Sequence, residues 1–158
     1  MADEKMERCK RVFGSLCTAL DNRGWHYEKY DEDLVIKCGV QGDDLPIDLV
    51  ISVEADIELI MLMSRLPVVI SEERRLDAAI AVNYVNAKLV DGSFDFNLED
   101  GVIVFRMTSS FIESEIGSEL FDYMIWMAIN AVDRYNDKFF MLEKGMMSLK
   151  EFIKDISE

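Results

Sequence analysis

Few side chains in this chain are suited to proton transfer or covalent chemistry. His26 is the sole histidine, and Cys38 is one of three cysteines in 158 residues. A thiol and an imidazole on neighbouring strands can form a nucleophile–base pair. A working pair also needs a third group that orients the base, and no such pattern accompanies these two. His26 stands between Trp25 and Tyr27, which reads as an aromatic strand setting. A lone histidine also excludes every two-histidine metal motif. The stretch from Asp95 through Asn97 and Glu99 spaces oxygen donors as a calcium loop does. However, the sixth position is Asp100 where that loop needs glycine, and the twelfth is Arg106 where it needs glutamate. Gly39-Val-Gln-Gly42 lacks the lysine of a phosphate loop and the spacing of a dinucleotide site. The carboxylates Asp31-Glu32-Asp33, Asp43-Asp44 and Glu54/Asp56/Glu58 fall at turns, where they stay solvated, whereas an acid–base pair needs burial. The expectation is a non-enzymatic protein without catalytic residue, metal or cofactor.

Charge narrows the partners. The chain carries 31 acidic against 17 basic side chains, a formal net charge of −14. Such a surface repels phosphate backbones and anionic bilayers, so neither nucleic acid nor membrane is expected, and a basic protein segment is favoured. Cys9, Cys17 and Cys38 lack C-x-x-C spacing and read as reduced thiols packed as small hydrophobes. The amino-terminal residues are charged, and the most apolar window, Tyr123 to Val132, is shorter than the ~20 residues a membrane span takes. A soluble, cytoplasmic location is expected.

The elements that must position any site follow from periodicity. Met6, Cys9, Phe13, Leu16 and Leu20 form one stripe of a first helix, about residues 3–21, which Gly24 closes. A short strand around Trp25 to Tyr30 is followed by alternation over Leu34–Val40 and Leu45–Val53. Ile57, Leu59, Met61 and Met63 alternate again, but Ile60 and Leu62 make the second face apolar, which predicts a strand covered on both sides. Short connections predict antiparallel neighbours. Pro67 is placed in a connection, and Ser71 reads as the cap of a second helix with Leu76, Ala79, Ile80, Asn83 and Ala87 inward. Phe94, Phe96 and Leu98, the Asp100-Gly101 turn and Val102–Met107 predict a hairpin. A third helix spans about residues 118–144, and Ser148 with Glu151 predicts a capping box for a short last helix. With no repeat or linker, a single α+β domain is expected.

The third helix carries the main anomaly. Leu120, Phe121, Tyr123, Met124, Ile125, Trp126, Met127, Ile129 and Val132 leave almost no polar face, so the helix is either sandwiched or covered by a partner. The candidate partner-binding or dimer-interface residues are therefore Ile60 and Leu62 on the strand, with Tyr123, Met124 and Met127 on the helix. A small-ligand sensor, its pocket enclosed between sheet and long helix, is the alternative.

Several segments resemble the YbjN domain family in combination. They are Gly24-Trp25, Asp44-Leu-Pro46-Ile-Asp-Leu, Ser64-Arg-Leu-Pro67, the run from Asn83 to Gly92-Ser-Phe, and Asp100-Gly101-Val-Ile-Val-Phe-Arg106. The resemblance covers about residues 10–155. It implies a bacterial protein with a twisted antiparallel sheet and helices packed on it, a fold similar to the type III secretion chaperones. Those are small, acidic, usually homodimeric proteins that hold an unfolded segment of another protein. The family is labelled a sensory-transduction regulator, and no catalytic residue is implied for this chain. Asn86, Gly92 and Gly101 match the family pattern and read as an inward amide, a helix stop and a hairpin turn.

Overall fold

A computed structural model describes residues 2–158. In chain order the elements are α1 (Ala2–Asn22), β1 (Tyr27–Tyr30), β2 (Val35–Gln41), β3 (Pro46–Glu54) and β4 (Leu59–Val69). They continue with α2 (Arg75–Asn86), β5 (Ser93–Phe96), β6 (Val102–Ser110), α3 (Ser118–Glu143) and α4 (Leu149–Asp155). The strands form one antiparallel sheet in the order β1-β2-β3-β4-β6-β5.

The period of two along each strand decides which side the helices cover. Ile47, Leu49, Ile51 and Val53 of β3 are buried, as are Ile103, Phe105 and Met107 of β6. The opposite side stays open, with Val35, Val50, Met61, Met63 and Val104 half-buried among exposed Lys37, Asp48 and Arg106. This corrects the placement of Ile60 and Leu62. They pair with Val53 and Ile51, share their face, and are 0% exposed beneath the helices. A residue in that position is unavailable to a partner, and the second face of β4 is instead the methionine face.

Two further corrections concern phase. Pro67 lies inside β4, in the stretch between Arg65 and Val69 where the register with β6 shifts. Proline lacks the ladder N–H and is tolerated at such an irregularity. The helix after it begins at Arg75, behind a 3-10 turn over Glu72–Arg74. Its buried residues are Ala78, Ala81, Val82 and Val85, while Leu76 and Ile80 face solvent. Alanines on the inner side let α2 lie close against β5 and α4, which larger side chains would prevent. Ser71 makes no side-chain cap. Its N–H and hydroxyl both donate to Glu143 Oε2, at 2.9 and 3.1 Å. By contrast, Ser148 and Glu151 form the anticipated capping box.

The space between α3 and the sheet is filled by aromatic rings. Phe94 meets Phe105 edge-on at 5.2 Å and Tyr135 at 6.0 Å, and Phe139 meets Phe152 at 5.2 Å. Ion pairs tie α1 and the turn after it across the structure: Arg8 of α1 to the buried Glu58, and Arg23 Nε to Asp122 Oδ1 at 2.9 Å. Phe94 also fixes the sheet edge, because its backbone N–H and carbonyl both bond the side-chain amide of Asn86. No described helix is long and apolar enough to cross a membrane.

Candidate functional site on the long helix

α3 runs for 26 residues and turns only part of its apolar surface inward. Phe121, Met124, Ile125, Ala128 and Val132 are buried against the sheet and α1. Met124 is 2% exposed, so it belongs to the core and not to an interface. The reason is the helical period: Met124 lies three residues after Phe121 and four before Ala128, on the inward stripe. Tyr123 and Trp126 lie off that stripe and are 41% and 55% exposed. Met127 is half-buried at the boundary.

The loop after α2 completes a groove beside this outer surface. Lys88, Leu89 and Val90 approach from one side, and Asp43 and Asp44 of the β2–β3 turn approach from the other. Together with Trp126, Met127, Asn130, Asp133 and Arg134 they line a depression of about 580 Å³. Val90 is 93% exposed. The walls are pinned by hydrogen bonds. The Tyr123 hydroxyl donates to Asp91 Oδ2 at 3.2 Å, and the Asp43 N–H donates to Asp133 Oδ1 at 2.8 Å. Burial, with Asp91 adding to it, pushes the Tyr123 hydroxyl above the usual phenol range, so it stays a neutral donor. The apolar side chains of Trp126, Met127, Leu89 and Val90 thus stand among polar and charged ones along this depression.

Of the expected residues Met127 therefore lines this groove, Tyr123 lies outside its lining, bonded to Asp91, and Ile60, Leu62 and Met124 are buried. Trp126, Leu89 and Val90 were missed as site residues. The available signal was a pair of apolar residues between Lys88 and Asp91, in a loop that has no need of them; α2 ends at Asn86 and not, as expected, at Gly92, because the chain leaves the helix at Ala87.

His26 and Cys38 do share a depression, of about 670 Å³, on the β1–β2–β3 corner. Burial, helped by Asp48, pushes the Cys38 thiol up to about 11. A thiol so protonated is a poor nucleophile at neutral pH. The would-be calcium donors serve the hairpin: Asp95 pairs with Arg106, and Asn97 Oδ1 accepts from the Glu99 N–H. Among the described residues no group of three or more His, Cys, Asp or Glu side chains is placed to hold a metal ion.

Fold and groove together define an antiparallel α+β protein with helices on one side of its sheet and a mixed polar and apolar groove along its longest helix. The chain belongs to the YbjN family: the family model, described as "Putative bacterial sensory transduction regulator", matches residues 14–141. Among solved structures it is similar to "YbjN, a putative transcription regulator from E. coli". The TM-score is 0.56 and the identity 13%, over 77% of this chain and 86% of that one. No curated protein sequence matches it significantly.

Proposed function

We propose that this protein is a regulatory adaptor without catalytic activity, which acts by holding a segment of a partner protein in the α3 groove. The observation that supports this reading is Trp126, 55% exposed in the lining of this groove beside Met127, Leu89 and Val90. Tryptophan is the residue type most enriched at binding hot spots, and burying it contributes more than most contacts. The occupant that fits is an amphipathic segment with an aliphatic or aromatic anchor and basic flanks, drawn in by a chain of net charge −14. The ring-filled interior between α3 and the sheet weighs against an enclosed metabolite pocket, and so against the ligand-sensor alternative.

The test is capture of cytosolic proteins from a bacterial extract on the immobilised chain at moderate salt, beside its Trp126→Ala and Met127→Asp variants. Retention of a stoichiometric partner by the native chain, lost by at least tenfold in both variants while their melting profiles hold, supports the reading. Equal retention by all three refutes it. Size-exclusion chromatography of the same samples separates a second copy of this chain from a foreign partner: concentration-dependent dimers abolished by Trp126→Ala assign the groove to self-association.

A further inference from the structure

The two edges of the sheet are treated differently. At the β5 edge, the Phe94 N–H donates to Asn86 Oδ1 at 2.8 Å, and Asn86 Nδ2 donates to the Phe94 carbonyl at 2.9 Å. That side-chain amide mimics a neighbouring strand and caps the edge at Phe94. At the other end, β1 pairs only with β2. The Val53 N–H donates to the Leu34 carbonyl at 3.0 Å, and the Gly42 N–H to the Leu45 carbonyl at 3.1 Å. The even-numbered residues of β2 thus turn their backbone groups toward β3, and the odd-numbered Val35 and Lys37 turn theirs toward Tyr30 and Glu28. In an antiparallel ladder this leaves the N–H and carbonyl groups of Tyr27 and Lys29 directed outward. No hydrogen bond reaches them among the described residues.

We infer that β1 is a docking edge, on which an extended basic segment of another protein adds as a seventh strand. The charge beside it selects that partner. Asp31, Glu32 and Asp33 flank its end, Glu28 is exposed on the open face, and Asp21 stands behind Tyr27. Against these, Lys29 is already paired with Asp31 at 2.7 Å. An added strand would set alternate side chains next to Glu28 and Tyr30, which favours lysine or arginine beside the first and an apolar residue beside the second. This surface is separate from the α3 groove, and either can fail without the other.

The test uses the isotopically labelled full chain and a short synthetic peptide in which lysine and valine take turns along one face, with threonine at every position of the other. Exchange of the Lys29 amide slowed by about tenfold, with shifts centred on Tyr27 and Lys29, is the expected result. Lys29→Pro removes an outward N–H that β2 does not use, so it should abolish the effect, while Lys29→Ala should retain it. If Lys29→Pro does not fold, the same peptide N-methylated at its alternate amides replaces it and should lose binding to the native chain. Absence of binding, equal binding to Lys29→Pro or to the methylated peptide, equal binding of a glutamate–valine peptide, or shifts centred on Trp126 would each overturn the inference.

Discussion

The side-chain amide of Asn86 completes both backbone hydrogen bonds of Phe94, at 2.9 and 2.8 Å, and Phe94 is in turn the hub of the ring cluster above β5 and β6. One polar side chain therefore holds in place the most connected aromatic residue of the core. Asn86→Leu leaves a part-buried donor and acceptor without partners, at about 1–3 kcal/mol each. Urea unfolding should report that loss, and light scattering should report self-association through the opened β5 edge. Asn86→Asp keeps the acceptor but repels the Phe94 carbonyl, so it should fall between the two.

Two neighbours on α3 separate core from surface. Met124→Ala should cost about 2–5 kcal/mol, because it empties a filled position. Trp126→Ala should stay within about 1 kcal/mol of the native chain, since over half of its surface is already wet. Thermal unfolding of both variants checks the pair.

Alkaline pH should weaken the fold. The Cys38 thiol moves from the ordinary 9.0 to about 11 on folding, so between those values the unfolded chain binds fewer protons. Its contribution is therefore full below pH 9 and is lost as pH rises through the folded value. Tyr27, raised to about 12 chiefly by its bond to Asp21, acts in the same direction at higher pH. Cys38→Ser should flatten the profile chiefly between 9 and 10 and leave above 10 the fall to which Tyr27 contributes. Iodoacetamide should likewise modify Cys38 slowly at pH 8 and faster as the pH is raised.

Backbone conformation predicts a gain and a loss. Glu113 has φ 53 in an exposed turn, where an L-residue costs about 1–2 kcal/mol. Glu113→Gly should therefore stabilise the chain by about 1 kcal/mol, after the extra entropy of the unfolded glycine is deducted. Gly101 has φ 76, and a Cβ there would lie 2.1 Å from the Ile70 carbonyl oxygen. Gly101→Ala should lose the conformational term and break the Ile70 N–H bond to the Gly101 carbonyl at 2.8 Å. Denaturant midpoints of the two variants should move in opposite directions.

Punctuation and period were legible in the sequence; facing was not. Gly24, Gly101 and the Ser148–Glu151 box mark where elements end or begin because each satisfies a local backbone demand. Alternation in β3 and β6 gave the strands and their inner faces directly. On β4, apolar residues occupy both phases, and the choice between Ile60 and Met61 is made by α1 and α3, which lie far away in sequence. The α2 helix misled for a related reason. Alanine carries little weight in a hydrophobic pattern, yet small size on the inner face is what permits close packing, so Leu76 and Ile80 drew the stripe to the wrong side. The groove depends on a turn and a loop meeting beside α3, and no local pattern encodes that meeting.

Arg11 of α1 pairs with Glu115 just before α3, and Arg23 just after α1 pairs with Asp122 of α3, so these ion pairs join residues 104 and 99 positions apart. In a cell the first helix is therefore made long before its cover exists. At ~5–20 residues per second, its apolar stripe of Cys9, Phe13, Leu16 and Leu20 would wait on the order of 5–20 s for α3 to leave the ribosome. Meanwhile β1 to β4 can already pair in sequence order, and their helix-facing side, Ile36, Leu49, Ile51 and Leu62, gives that helix a provisional place to rest. The wiring makes the amino-terminal half its own nursery, and the long helix arrives late, with only α4 after it, as the element that locks it.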